Sequence, residues 1–191
     1  MQQIRPDAPA EVLAVSQQER DWASGIPGTR AQLFLASRSW IRNCLATLHG
    51  SSPLQVPLQA PPSAPPRLRD GWGYVSLSHC ADACLLGWSQ HPIGVDLERA
   101  DRKLQAAKAL VRRFFTESEQ SELIELEGDQ LRQQVLDRWL VKEAAIKWQQ
   151  GSIAEDLGFW EVSSTLRSAM HRNLDLEVAA QLRSQGAWRF G

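Results

Sequence analysis

The stretch Arg138-Trp-Leu-Val-Lys-Glu-Ala-Ala-Ile-Lys147 contains neither glycine nor proline and consists mostly of good helix formers. On a helix, residues three and four apart share a face, so Trp139, Glu143 and Lys147 form one ridge with Lys142 beside it. Leu140, Val141, Ala144, Ala145 and Trp148 supply a broad apolar stripe for burial against a core. One rigid element then presents an aromatic ring, a carboxylate and two ammonium groups. Taken alone, Glu143 and Lys147 make a common surface ion pair that stabilises a helix by about 0.2–0.5 kcal/mol. A second stretch, Ile93-Gly-Val-Asp-Leu-Glu98, changes that reading.

Period-two alternation makes 93–98 a strand with Asp96 and Glu98 on one face and Val95 and Leu97 turned to the core. Two neighbouring carboxylates repel each other. On an exposed strand face water would screen the repulsion; otherwise a cation or hydrogen-bond donors must lie between them. Glu143 offers a third carboxylate from a rigid helix in the same half, with Lys147 a turn further on. Three oxygen ligands completed by water suit Mg²⁺, which favours carboxylates together with substrate phosphates. Lysine or arginine nearby would hold the remaining phosphate oxygens. These residues point to metal-assisted chemistry on a phosphorylated substrate, without naming the reaction.

The rest of the chain sets bounds on that reading. Its 191 residues suffice for one domain, or for two small halves sharing a core. A net charge of −1 gives no basic field of the kind that marks a nucleic-acid binder. Cys44, Cys80 and Cys84 are odd in number and irregularly spaced, which argues for thiols in a reducing compartment. His79 beside Cys80 and Cys84 lacks a fourth ligand for zinc. With no signal pattern and no apolar run of membrane-spanning length, the expected location is the cytoplasm.

Along the chain, a short strand is expected at Glu11–Val15, and the Ser16-x-x-Glu19 capping box opens a helix that ends near Gly25. A longer helix runs from about Thr29 to Leu48, stopped by Gly50, and carries Arg38 and Arg42. The proline-rich stretch 51–69 reads as extended loop. Strands follow at 73–78, with His79 at the end, at 83–88 and at 93–98. Ala106 to Phe115 is helical, Thr116-x-x-Glu119 opens another capped helix, and the long helix spans Gln130 to Gln150. Strands are expected again at 158–164 and 174–179.

An offset of a hundred residues lays Ser16-x-x-Glu19 on Thr116-x-x-Glu119, Gly28 on Gly128, Arg38 on Arg138 and Arg42 on Lys142. The expected architecture is therefore α+β: two pseudo-repeated halves, 1–90 and 91–191, related by a pseudo-twofold axis. A cleft lined by both halves is the natural ligand site, and such a chain should work as a monomer.

The two organising stretches, with Asp96 and Glu143 forty-seven residues apart, resemble the signature motifs of the 4'-phosphopantetheinyl transferases, (I/V)-G-(I/V)-D and W-x-x-K-E-(A/S)-x-x-K. Val75-Ser-Leu-Ser-His79 is similar to that family's F-N-x-S-H stretch, with Ser76 in place of the asparagine. Phe114-Phe-Thr-x-x-Glu119 resembles its F-(F/S)-x-x-E connector, and Arg38-x-x-x-Arg42 its first basic helix. Ala64-Pro65-Pro66 stands where the family has G-K-P. Length and duplicated layout point to the larger, surfactin-synthetase-activating type.

The resemblance implies Mg²⁺ held by Asp96, Glu98 and Glu143 against the pyrophosphate of coenzyme A. Lys147 and Lys142 would contact that pyrophosphate, and Ser76, Ser78, His79, Arg38 and Arg42 the nucleotide side of the substrate. Nucleotide contacts would then fall mainly to 1–90, and the metal and pyrophosphate site to 91–191. Glu143 and Lys147 become the catalytic pair, and the partner is an apo acyl or peptidyl carrier protein whose serine accepts the phosphopantetheine arm. Two alternatives are a non-catalytic carrier-binding duplicate and a metal-dependent nuclease. The nuclease fits poorly with a helical Lys-Glu motif and a near-neutral chain.

Overall fold

The computed structural model describes residues 13–191. Its architecture is mixed helix and sheet. The chain divides into two compact units. Among the described residues, the first comprises residues 13–75 with Trp88–Pro92, and the second Ser76–Gly87 with Ile93–Gly191. No helix among the described residues is long and apolar enough to cross a membrane.

In the first unit, α1 (Gln17–Ser24) starts on the Ser16 capping box, and Gly25 caps its end. Helix α2 (Gly28–His49) stops where Gly50 takes the left-handed conformation, φ +62°. Ile41, Leu45 and Ala46 are buried from α2. The stretch 51–69 is more ordered than its prolines suggest: a 3₁₀ turn at Pro53–Gln55 precedes a small hairpin of β1 (Leu58–Gln59) and β2 (Arg67–Leu68). The strand expected at Glu11–Val15 falls partly outside the described residues, and 13–15 are not in a strand.

The second unit is built around α5 (Gly128–Gln149), which follows α3 (Ala107–Phe114) and the capped α4 (Glu117–Leu123). Val141, Ala145 and Ile146 of α5 pack with Trp160, Val162 and Ala169 of an antiparallel sheet. That sheet is β6 (Trp160–Val162), β7 (Ser168–His171) and β8 (Leu176–Ala179), reached through the short helix α6 (Ile153–Asp156). On its N-terminal side α5 buries Leu131 and Val135 against Val111, Phe115 and Leu123. A second three-stranded sheet has the order β5 (Leu97–Arg99), β10 (Trp188–Phe190), β9 (Arg183–Gln185). Strands β3 (Tyr74–Cys80) and β4 (Ala83–Ser89) form a hairpin whose closed end, Ser76–Gly87, belongs to this unit.

Two expectations change in detail. His79 lies inside β3 rather than at its end. The strand expected over 93–98 is confined to Leu97–Arg99. Gly94 explains the shortening: its backbone lies against α5, where a Cβ would sit 1.9 Å from the Ala144 carbonyl oxygen and 2.5 Å from the Trp148 amide nitrogen. The chain at Gly94 thus packs on the helix, and pairing begins only at Asp96.

Each unit contains the same buried strut. The Glu19 carboxylate accepts from the Ser16 amide at 2.7 Å to close its capping box, and from Arg42 Nε at 3.0 and 3.1 Å. Glu119 accepts from the Thr116 amide at 2.9 Å, Lys142 Nζ at 2.7 Å and the Val162 amide at 3.1 Å. Both glutamates are 1 % exposed, while Arg42 is 3 % and Lys142 0 % exposed. Burial lowers the Lys142 pKa, and the Glu119 charge opposes that shift.

Candidate active site

The acid cluster belongs to the second unit. Asp96 is 3 % exposed. Its Oδ1 accepts from Ser78 Oγ at 2.7 Å and from Lys147 Nζ at 2.6 Å, and Lys147 also donates to Ser78 Oγ at 3.1 Å. The other carboxylate oxygen, Oδ2, is buried without a hydrogen-bond partner. Lys147 Nζ stands 3.9 Å from Glu143, one turn back on α5. Glu143 accepts from the indole N–H of Trp139, a further turn back. Sequence spacing foresaw that ridge, but not that the indole would hold the carboxylate.

Burial pushes the Glu143 carboxyl up to about 7, and the charges of Asp96 and Glu98 add to that rise while Lys147 and the indole oppose it. Glu98 is also raised, by burial first, with Arg102 opposing and Asp96 reinforcing. Glu98 is paired with Arg102. The three acids therefore act on one another electrostatically. Among the described residues no three His, Cys, Asp or Glu side chains stand as a ready-made metal cluster. Each acid is instead engaged by a neighbouring cation or donor. The donor set still fits a hard divalent cation: three carboxylates, of which Glu143 and Glu98 have their charged forms disfavoured by burial and by Asp96, with one buried Asp96 oxygen unpartnered.

The two serines of β3 do work that the sequence did not reveal. Ser76 Oγ accepts from the Val95 amide at 3.0 Å, and Ser78 Oγ from the Leu97 amide at 3.2 Å. They staple β3 to the acid segment on either side of Asp96, which is why both are buried. Strand alternation turns His79 to the face opposite Ser78, where it is exposed.

Two residues expected at coenzyme A are placed otherwise. Arg42 spends Nε on Glu19, Nη1 on the Pro53 and Val56 carbonyls and Nη2 on that of Leu58. Lys142 has three acceptors, Glu119 and the carbonyls of Phe114 and Leu157, for its three protons. Neither cation has exposed charge with which to reach a substrate. The physical reason is the strut: a buried carboxylate requires a buried partner. Arg38 differs, being half-buried over the Phe34 ring, with Nε on the Ala60 carbonyl at 2.8 Å and Nη1 on Ser37 Oγ at 3.0 Å. No hydrogen bond engages its Nη2 among the described residues.

Residues 92–189, which carry the acid segment, α5 and the strands after it, match the family model of the 4'-phosphopantetheinyl transferase superfamily. The chain belongs to that superfamily. A search of curated proteins returns no match. Superfamily membership supports a transferase acting with coenzyme A and a carrier protein, and the matched segment contains Asp96, Glu98, Glu143 and Lys147.

Proposed function

We propose that the protein transfers the 4'-phosphopantetheine arm of coenzyme A to a serine of an apo acyl or peptidyl carrier protein, as a transferase of the larger surfactin-synthetase-activating type. The observation that carries this reading is the constellation of buried Asp96 with partly buried Lys147 and Glu143, all within the segment that matches the superfamily, closed by Ser78 of β3. In this reading the carrier serine oxygen attacks the β-phosphorus of coenzyme A. The bond from that phosphorus to the bridging oxygen breaks, and adenosine 3',5'-bisphosphate leaves. Glu143, with a carboxyl near 7, takes the serine proton directly or through water. Lys147 stands within reach of Asp96 and Glu143 to offset negative charge on the transferring group.

Asp96, Glu98 and Glu143 would hold Mg²⁺, which when bound clamps the pyrophosphate and neutralises the leaving group. His79, exposed on β3, would serve the nucleotide phosphates. Internal duplication of one α+β unit is part of the same proposal. The twin struts, Ser16–Glu19–Arg42 and Thr116–Glu119–Lys142, and two long helices starting at Gly28 and Gly128 support it. We extend the proposal to a monomer working in the cytoplasm.

The test is incubation with coenzyme A, MgCl₂ and a panel of apo carrier proteins, read by intact mass for one added phosphopantetheine arm. Transfer should depend on Mg²⁺ and vanish in Asp96→Ala, with the fold retained by circular dichroism. Transfer at wild-type rate by Asp96→Ala would overturn the assignment of this site.

A further inference from the structure

Strand β5, which carries Glu98, is three residues long and lies at the edge of its sheet. Its neighbour in the ladder is β10, antiparallel, with Arg189 opposite Glu98 and Phe190 opposite Leu97. The pairing extends one step further. The Asp96 amide donates to the Gly191 carbonyl at 2.9 Å, and the Gly191 amide to the Asp96 carbonyl at 3.1 Å. Both main-chain groups of Asp96 are therefore held by the residue that follows β10.

That strand is itself fastened to α5. Arg189 grips the Asp137 carboxylate with two nitrogens, Nε on Oδ1 and Nη2 on Oδ2 at 2.8 Å. Asp137 is 3 % exposed as a side chain and lies on the helix that carries Glu143 and Lys147. A forked guanidinium–carboxylate contact fixes direction as well as distance. It also decides where the Arg189 charge goes. Residues directly opposite in an antiparallel pair share a face, so Arg189 stands beside Glu98, and Asp137 draws its guanidinium away from that acid.

We propose that Arg189 and Asp137 are positioning residues for the acid site. Through β10 they set Asp96 and Glu98 relative to Glu143 on α5, and Asp137 keeps Arg189 from joining Arg102 on Glu98. This inference rests on the reading of the acids as a Mg²⁺ site. It assigns a role to residues that touch no reacting atom.

The experiment uses the full chain and the variants Arg189→Met, Arg189→Lys, Asp137→Asn and Asp137→Asn with Arg189→Met. Amide exchange at Asp96 is measured without metal, and MgCl₂ dependence of coenzyme A binding by calorimetry. In Arg189→Met, exchange at Asp96 should accelerate about tenfold or more, and the Mg²⁺ needed for half-maximal binding should rise roughly 10–100-fold, as for other groups that orient metal ligands. Asp137→Asn should be the more damaging single change, because it frees Arg189 to pair with Glu98, and adding Arg189→Met should recover part of the loss. Arg189→Lys, which keeps the charge, serves if the methionine variant folds poorly, and should fall between it and wild type.

Unchanged Mg²⁺ dependence in variants whose melting temperature alone has dropped would reduce the contact to ordinary packing and overturn the inference, as would unchanged exchange at Asp96. A wild type that takes up no Mg²⁺ removes the site and this inference with it. A wild type that binds Mg²⁺ and coenzyme A normally but modifies no carrier ends the transferase reading and leaves the positioning role to be decided by the variants.

Discussion

Glu143→Gln tests whether the acid cluster is as strained as its surroundings imply. Burial and the neighbouring acids raise the Glu143 carboxyl from 4.5 to about 7, and at ~1.36 kcal/mol per unit that is about 3 kcal/mol of destabilisation once the group is ionised. The sign follows from proton uptake. Between about pH 4.5 and 7 the folded metal-free protein binds more protons at this position than the unfolded chain, so stability falls as pH rises through that window. Above it the full cost is present. Glutamine keeps the shape and one acceptor for the Trp139 indole but carries no charge. At pH 8 the metal-free variant should therefore be more stable than wild type by up to about 3 kcal/mol, less the smaller cost of burying an amide. For a chain of this size that is a rise of roughly 6–12 °C in melting temperature. The assay is thermal and urea unfolding of both proteins in EDTA from pH 5 to 8.5, repeated with MgCl₂. The variant curve should lose most of the decline seen in wild type, keeping only the part due to Glu98, and Mg²⁺ should stabilise wild type more than the variant. Parallel curves in EDTA across the whole range would refute the reasoning, because they would mean that the Glu143 charge costs nothing where it sits.

Three further outcomes follow from the contacts. Lys142→Met strands Glu119 beneath the sheet and should destabilise the protein by about 3–5 kcal/mol, the usual loss when one partner of a buried pair is removed; urea unfolding at pH 7.5 checks this, and a loss under 1 kcal/mol would place Lys142 at the surface. Gly94→Ala forces a methyl into the α5 backbone and should cost about 1–3 kcal/mol, with transfer reduced by more than stability predicts because the Asp96 segment is displaced; normal transfer by this variant would show that the close approach is unimportant. Ser78→Ala removes a donor from Asp96 and an acceptor from the Leu97 amide, so a loss of roughly 1–3 kcal/mol is expected; a melt equal to wild type would contradict the stapling role.

The sequence disclosed what depends on neighbours in the chain. Both capping boxes, the stops at Gly25 and Gly50 and the two long helices are local features, and they fall within a residue or two of their expected limits. The ridge of Trp139, Glu143 and Lys147 was legible for the same reason, as was the mixed helix-and-sheet class. What escaped depends on tertiary packing. Nothing in Ile93–Glu98 announces that Gly94 abuts a helix, and that contact limits the strand to Leu97–Arg99. The family resemblance put Arg42 and Lys142 at coenzyme A, yet both turn inward to glutamates already used as caps. A signal was available: each cation follows its capping-box glutamate by the same 23 residues. Ser76 looked like a departure from a binding motif, whereas its hydroxyl is spent on the Val95 amide.

The double use of those glutamates makes the unfolding of each unit more cooperative than short helices usually allow. A seven- or eight-residue helix such as α4 or α1 ordinarily frays freely, since few bonds hold it. Here fraying would open the cap and leave a cation buried in the long helix without its counter-ion. The cheapest excursion for α1 is then to open together with α2, and for α4 together with α5. Native-state amide exchange would show each pair as one opening event with a shared free energy, so two short helices report on the long helices they brace.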